Sequence, residues 1–183
     1  MKRIVLTFGL ISGAISAAMM FLTLPLIHRG VIDHENGLIV GYTSIFLAFL
    51  LVFFGIRAYR DQHGGTISFG RACAVGLLIT LISSLCYVAA WEVLYYNFLP
   101  DFVDKMSAAT INSMRAKGAT DAMLAKKQVE MVELKKMLDN PLTNGLMTFI
   151  EPFPVGVVMT LVSAGILRRR ATPVPASSST AMV

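Results

Sequence analysis

Charge is what this chain has least of. Only 15% of its 183 residues are Asp, Glu, Lys or Arg, while 55% are hydrophobic; ordinary soluble domains carry roughly 25% charged residues. So few charges cannot clothe a surface for water, and the composition points to lipid. The formal charge of +5 does not imply a nucleic-acid partner. The basic residues stand at the ends of apolar runs instead of gathering on one polar face. Cysteine is nearly absent too. Cys73 and Cys86 share one apolar stretch, where a helix would hold them roughly 20 Å apart, which excludes an intrachain disulfide. There is no CxxC and no Cys/His pair at ligand spacing, so no structural metal site is expected. GxSxG, HExxH, a P-loop and a nucleotide-binding glycine pattern are also missing. No catalytic residue and no cofactor is therefore expected. The eleven methionines are spread through the chain as core filler, without the clustering a copper site needs.

What the chain has instead is long uncharged runs. A helix needs about 20 mainly apolar residues to cross a bilayer, and four runs meet that length: 4–27, 38–56, 72–91 and 142–167. The last ends against Arg168-Arg169-Arg170 and contains Glu151. A signal peptide is the rival reading of the first run, with small residues at Ala14, Ser16 and Ala17. The run continues to Ile27, about twice the length of a usual signal core, and so reads as a span. Orientation follows from the basic residues at span ends. Lys2, Arg3, Arg57, Arg60, Arg71 and Arg168 to Arg170 fall on one side, whereas the first opposite loop has only Arg29 beside Asp33 and Glu35. The basic side is assigned to the cytoplasm, with both termini there.

The segment between the third and fourth spans reads as two helices, about 101–117 and 120–139. Pro100-Asp101 starts the first, Lys117-Gly118 stops it, and Thr120-Asp121 starts the second with a cap and an acid in the first turn. In the second helix Leu124, Met131, Leu134 and Leu138 form one stripe, and Asn140-Pro141 ends it. The stripe is expected to pack on the outer end of the bundle or lie at the membrane surface; the sharper reading is a docking face for another envelope protein or a second copy. The uncharged Ala/Ser/Thr/Pro tail, 171–183, is expected to be disordered and cytoplasmic. The expected fold is thus all-α: an integral membrane four-helix bundle over residues 1–170, with an extracytoplasmic helical insertion between the third and fourth spans.

Ionisable groups at membrane depth are functional candidates. Glu151 lies about 25 Å along the axis from Arg168, in the outer part of the hydrocarbon core. Pro152, Phe153 and Pro154 follow it, and the prolines open the helix beside the carboxylate. Such a group can bind a cation or relay a proton; the plainer reading, a wet interfacial acid, is favoured. Glu92 falls near the same boundary, with Trp91, Tyr95 and Tyr96 around it as an aromatic belt. The alternative joins Glu92 and Glu151 in one polar membrane site, with Arg29, His28 or His34 as partners. Gly9, Gly13 and Ala17 recur every four residues in the first span, a face that lets another helix approach closely. Packing within the bundle is favoured there over dimerisation. Tyr59, Arg60, Asp61 and His63 are read as solvated loop residues.

Three stretches carry a likeness. They are Gly64-Gly65-Thr66-Ile67-Ser68-Phe69-Gly70-Arg71-Ala72 with Val75-Gly76-Leu77, then Pro100-Asp101-Phe102, and the closing run from Val157 to Arg169. Together they resemble the pattern of domain of unknown function 4199, a family of small bacterial membrane proteins, over nearly the whole chain except the tail. The resemblance implies a protein of the bacterial inner membrane and adds no catalytic residue. Function is expected to lie in assembly within the membrane, without catalysis; the alternative is a small ion-coupled transporter or channel subunit using Glu151.

Overall fold

The computed structural model describes residues 1–28 and 34–168. The described residues form seven helices: α1 Lys2–His28, α2 His34–Asp61, α3 Phe69–Phe98, α4 Phe102–Ala116, α5 Asp121–Leu138, α6 Pro141–Ile150 and α7 Pro152–Leu167. Four stretches are long and apolar enough to cross a membrane: Lys2–Thr23, Gly41–Asp61, Phe69–Phe98 and Pro141–Leu167. In each, only 33–39% of the most apolar window is buried by the rest of the chain, so most of the apolar surface faces outward. Leu22, Leu85, Leu142 and Ile166 are among the large side chains left exposed. The interior is where the polar groups are. Ser12, Thr80 and Thr160 are fully enclosed, and Ser16, Ser83 and Ser163 are buried beside them. Water would favour the reverse arrangement; lipid favours this one, because hydroxyls are costly in hydrocarbon and find partners between helices.

The helices meet through small residues. α3 packs on α1, α2, α6 and α7, and α2 packs on α1 and α7. On α1, Gly9 lies against Ile82 and Gly13 against Cys86, so the small-residue face of the first span is used inside the bundle. The α3–α7 contact is reciprocal. Gly76 faces Thr160, and Gly156 faces Thr80, one turn apart on antiparallel helices. The hydroxyls of Thr80 and Thr160 lie 3.3 Å apart, and Thr80 also donates to the Gly156 carbonyl at 3.3 Å. Ser12 ties three helices, donating to the Ala48 carbonyl at 2.9 Å and pairing with the Ser83 hydroxyl at 2.9 Å.

The fourth apolar run, expected as a span over 142–167 and opened by its prolines, is one candidate span, Pro141–Leu167. It is two helices that meet at Glu151. Pro152 and Pro154 carry no N–H, and their rings crowd the carbonyls of Thr148 and Ile150, so the helical ladder cannot run through. The fragments keep different company: α6 packs on α3 and α5, α7 on α2 and α3.

At one end of the bundle α2 turns into α3. Gly64 and Gly65 have φ of 71° and 75°, the left-handed region that glycine enters without a steric penalty. They reverse the chain so that Ile67 inserts into the core. Arg57 and Arg60 both pair with Asp61, and His63 stacks on Tyr59 at 4.1 Å. At the other end, α4 and α5 form a hairpin. Thr120 caps α5 by accepting from the Met123 N–H, and Lys135 pairs with Asp104 across the hairpin. Leu124 and Leu138 are buried, and Met131 and Leu134 half-buried, so the leucine stripe of α5 is consumed within the protein. The apolar cluster at the hairpin base joins Tyr95 and Trp91 of α3 to Phe102, Val103 and Met106 of α4 and Leu134 and Leu138 of α5.

Candidate functional site

The polar groups of this half of the molecule form a ladder along the seam between α3 and the α5–α6 corner. Asn140 opens it, accepting from the Leu142 and Thr143 N–H groups at 3.0 and 3.3 Å and starting α6. Asn140-Pro141 is therefore the start of a helix as well as the stop beyond α5. One turn in, Asn144 is fully buried. Its Oδ1 accepts from Trp91 Nε1 at 2.9 Å and from the Thr148 hydroxyl at 3.3 Å, and its Nδ2 donates to the Leu138 carbonyl at 3.1 Å. Above it Tyr95 donates to Asp139 at 3.3 Å, and Tyr96 to the Leu138 carbonyl at 3.0 Å. Below it Tyr87 donates to Glu151 Oε2 at 3.3 Å.

Glu151 is thus at the break between α6 and α7, half-buried, with a phenol as hydrogen-bond donor. Phe149 and Phe153 stack across the break at 4.8 Å. Among the described residues no Lys, Arg or His forms an ion pair with it. Glu92 has other surroundings. It reaches the surface of α6 where Gly145 has no side chain: a Cβ there would lie 3.6 Å from Glu92 Oε1. That oxygen is enclosed and accepts no hydrogen bond from the described residues. Among the described residues no hydrogen bond or common partner joins Glu92 to Glu151, and the antiparallel pairing separates them by about 8 Å along the axis. Arg29, the third member considered for a shared polar site, lies outside the described residues, as do the side chains of His28 and His34. Arg169, Arg170 and the tail 171–183 lie outside them too.

The aromatic residues depart from expectation. A belt would point its rings outward, yet Tyr95 is buried and Trp91 half-buried, both against the hairpin base. Tyr96 is exposed, but its hydroxyl is bonded inward. The reason is partner supply: a buried indole N–H or phenol needs an acceptor, and Asn144, Asp139 and the Leu138 carbonyl provide three. Sequence reasoning missed Asn144, Thr148 and Asp139. A signal was present: Asn144, Thr148 and Glu151 recur at helical spacing in the fourth run, facing Tyr87, Trp91 and Tyr95 at helical spacing in the third. Chemically the ladder can hold protons and hydrogen-bonding groups. Among the described residues no three His, Cys, Asp or Glu side chains gather as metal ligands.

Four long apolar helices, an apolar exterior and hydroxyl-lined seams are the features of an α-helical membrane protein, and the class they point to is that one. Residues 7–169 match the family model described as Protein of unknown function (DUF4199), and the chain belongs to that family. No curated protein and no solved structure matches it.

Proposed function

We propose that this is a multi-pass protein of a bacterial cytoplasmic membrane that acts by assembly, without catalysis, and that the α4–α5 hairpin engages its partner, another envelope protein or a second copy. The basic ends of the spans support an orientation with both termini and the α2–α3 turn in the cytoplasm and the hairpin outside. The observation that carries the reading is the outer face of α5. Opposite the buried leucine stripe, Ala122, Ala125, Val129 and Val132 follow one another at three- and four-residue steps, and the two valines are 59% and 52% exposed. Such a face on an anchored, protruding helix suits a partner helix. The test is extraction in native lipid particles, comparing wild type with Val129→Glu/Val132→Glu. We expect the wild type to emerge as a complex of defined mass that the double variant loses while its bundle unfolds normally. A monomeric wild type with no partner sinks the proposal.

One observation favours a second reading, an ion-coupled carrier or channel subunit: the Tyr87–Glu151 bond at a broken helix, the arrangement transporters use at their binding sites. Unchanged flux in a Glu151→Gln protein would remove it.

A further inference from the structure

A second feature lies at the opposite end of the bundle. Between the first turns of α1 and the last turn of α2 is an open hollow of about 500 Å³, lined by Met1, Arg3, Ile4, Thr7, Phe8, Ala58 and Gln62. The size lies within the range of small-ligand sites. The lining sorts into two layers by helical spacing. Arg3 and Thr7, one turn apart on α1, and Gln62, the first residue past α2, bring a guanidinium, a hydroxyl and an amide, all exposed. Ile4 and Phe8, also one turn apart, and Ala58 form an apolar floor that is buried or half-buried.

The charge around the hollow is one-sided. Lys2, Arg3, Arg57, Arg60, Arg71 and Arg168 all stand at this end of the helices, with Asp61 as the nearby acid. Asp61 is taken by Arg57 and Arg60. Among the described residues, Arg3 has no carboxylate partner, and the side chains of Thr7 and Gln62 have no hydrogen-bond partner. Three polar groups without intramolecular partners therefore line one concavity. The hollow stands where the first span begins, at the level of lipid headgroups.

We propose that this hollow binds the phosphoryl headgroup of an anionic phospholipid, with the Arg3 guanidinium as its principal ligand and Thr7 and Gln62 completing the hydrogen bonding. A guanidinium presents paired donors that match two phosphate oxygens. Basic pockets between membrane helices on the cytoplasmic side are suited to anionic headgroups. The apolar floor takes the glycerol and the first methylenes, which free phosphate lacks. The inference is independent of what the hairpin engages.

The test is native mass spectrometry of the purified full chain, relipidated from mixed micelles of phosphatidylglycerol and phosphatidylcholine in equal amounts. We expect preferential retention of phosphatidylglycerol, weakened about tenfold in Arg3→Gln, the size expected for loss of one charge-assisted contact. Arg71→Gln removes the same charge from the same end, away from the hollow, and should retain the lipid within about twofold. Ala58→Trp fills the hollow and leaves every charge in place, and it too should lose the lipid. Equal losses in Arg3→Gln and Arg71→Gln would mean a diffuse basic surface and overturn the site. Equal retention of both lipids would overturn it as well. Excess inorganic phosphate should leave the lipid bound; displacement by it would assign the hollow to free phosphate and refute a lipid ligand.

Discussion

The reciprocal notch between α3 and α7 can be tested by moving a single methyl group. A Cβ added at Gly76 would lie 2.6 Å from Thr160 Cγ2 and 2.9 Å from both Thr160 Oγ1 and Ile56 Cδ1. Carbon atoms in contact prefer about 3.5–4.0 Å, so the helices must part by roughly 1 Å or Thr160 must leave its rotamer. Overpacking of this kind costs about 1–3 kcal/mol, and alanine returns up to about 1 kcal/mol through helix propensity. Gly76→Ala should therefore lose a net 1–2 kcal/mol or so, roughly a 5- to 30-fold shift in the folded-to-unfolded ratio. Gly165→Ala is the control, because nothing lies within 4 Å of a Cβ there; it should be neutral or slightly stabilising. Thr160→Ser removes Cγ2 but keeps the hydroxyl that faces Thr80. The double variant Gly76→Ala/Thr160→Ser should recover most of the loss, with a favourable coupling of about 1 kcal/mol. The assay is reversible unfolding in mixed micelles, followed by circular dichroism and by Trp91, the only tryptophan of the chain. If Gly76→Ala behaves like Gly165→Ala, or if Thr160→Ser brings no relief, close approach at Gly76 is not what holds α3 on α7.

Two further outcomes are expected. Asn144→Ala strips the acceptor from Trp91 and Thr148 and the donor from the Leu138 carbonyl, costing roughly 1–3 kcal/mol for the orphaned buried groups; Trp91 emission should move with it, and unchanged emission and stability would count against the ladder. The hairpin should respond to pH at both extremes. The Lys127 ammonium holds the Glu130 carboxyl below its ordinary value, so that pair's contribution is present above the unfolded value of about 4.3 and disappears as pH falls through the folded one. Asp104 holds Lys135 above the ordinary ammonium range, so its contribution is present below about 10.4 and disappears as pH rises through the folded value. Both pairs are exposed and the effects are small. Amide protection in α5 should converge between wild type and Glu130→Gln under acid, and a constant gap would refute the assignment.

Length and charge made the apolar runs legible. An uncharged stretch of some 20 residues has few alternatives to a spanning helix. Which way each helix faces was not legible from its apolar residues, because lipid and core are equally apolar and the inside–outside contrast that marks a soluble helix is lost. The inner faces were written in the minority residues instead: Gly9, Ser12, Gly13 and Ser16 on α1, Gly76, Thr80 and Ser83 on α3, Gly156, Thr160 and Ser163 on α7. The glycine face of the first span was read this way. The glycine–threonine notches were not, although Gly76 and Thr160 stand inside the very stretches that carry the family likeness. The rings of Trp91 and Tyr95 were misdirected because a belt and an inward anchor use the same residue types, and only the acceptors across the seam decide between them. For the leucine stripe of α5, the pattern announced a need for cover without naming its source. α4 and the end of α3 were near enough in the chain to supply it.

The break at Glu151 also has a mechanical side. Around Thr80 and Thr160, α3 and α7 are indexed like meshed teeth, so neither slides past the other without losing both notches. Beyond the break, α6 is gripped by Asn144 to Trp91 and by its contacts with α5. A load placed on the hairpin is therefore delivered both to α3, one continuous helix that carries it straight to the clamped part of the bundle, and to α6, whose path to that part passes the junction at Glu151. The two routes differ in kind: one is a single rod, the other a strut made in two pieces with a carboxylate at the junction.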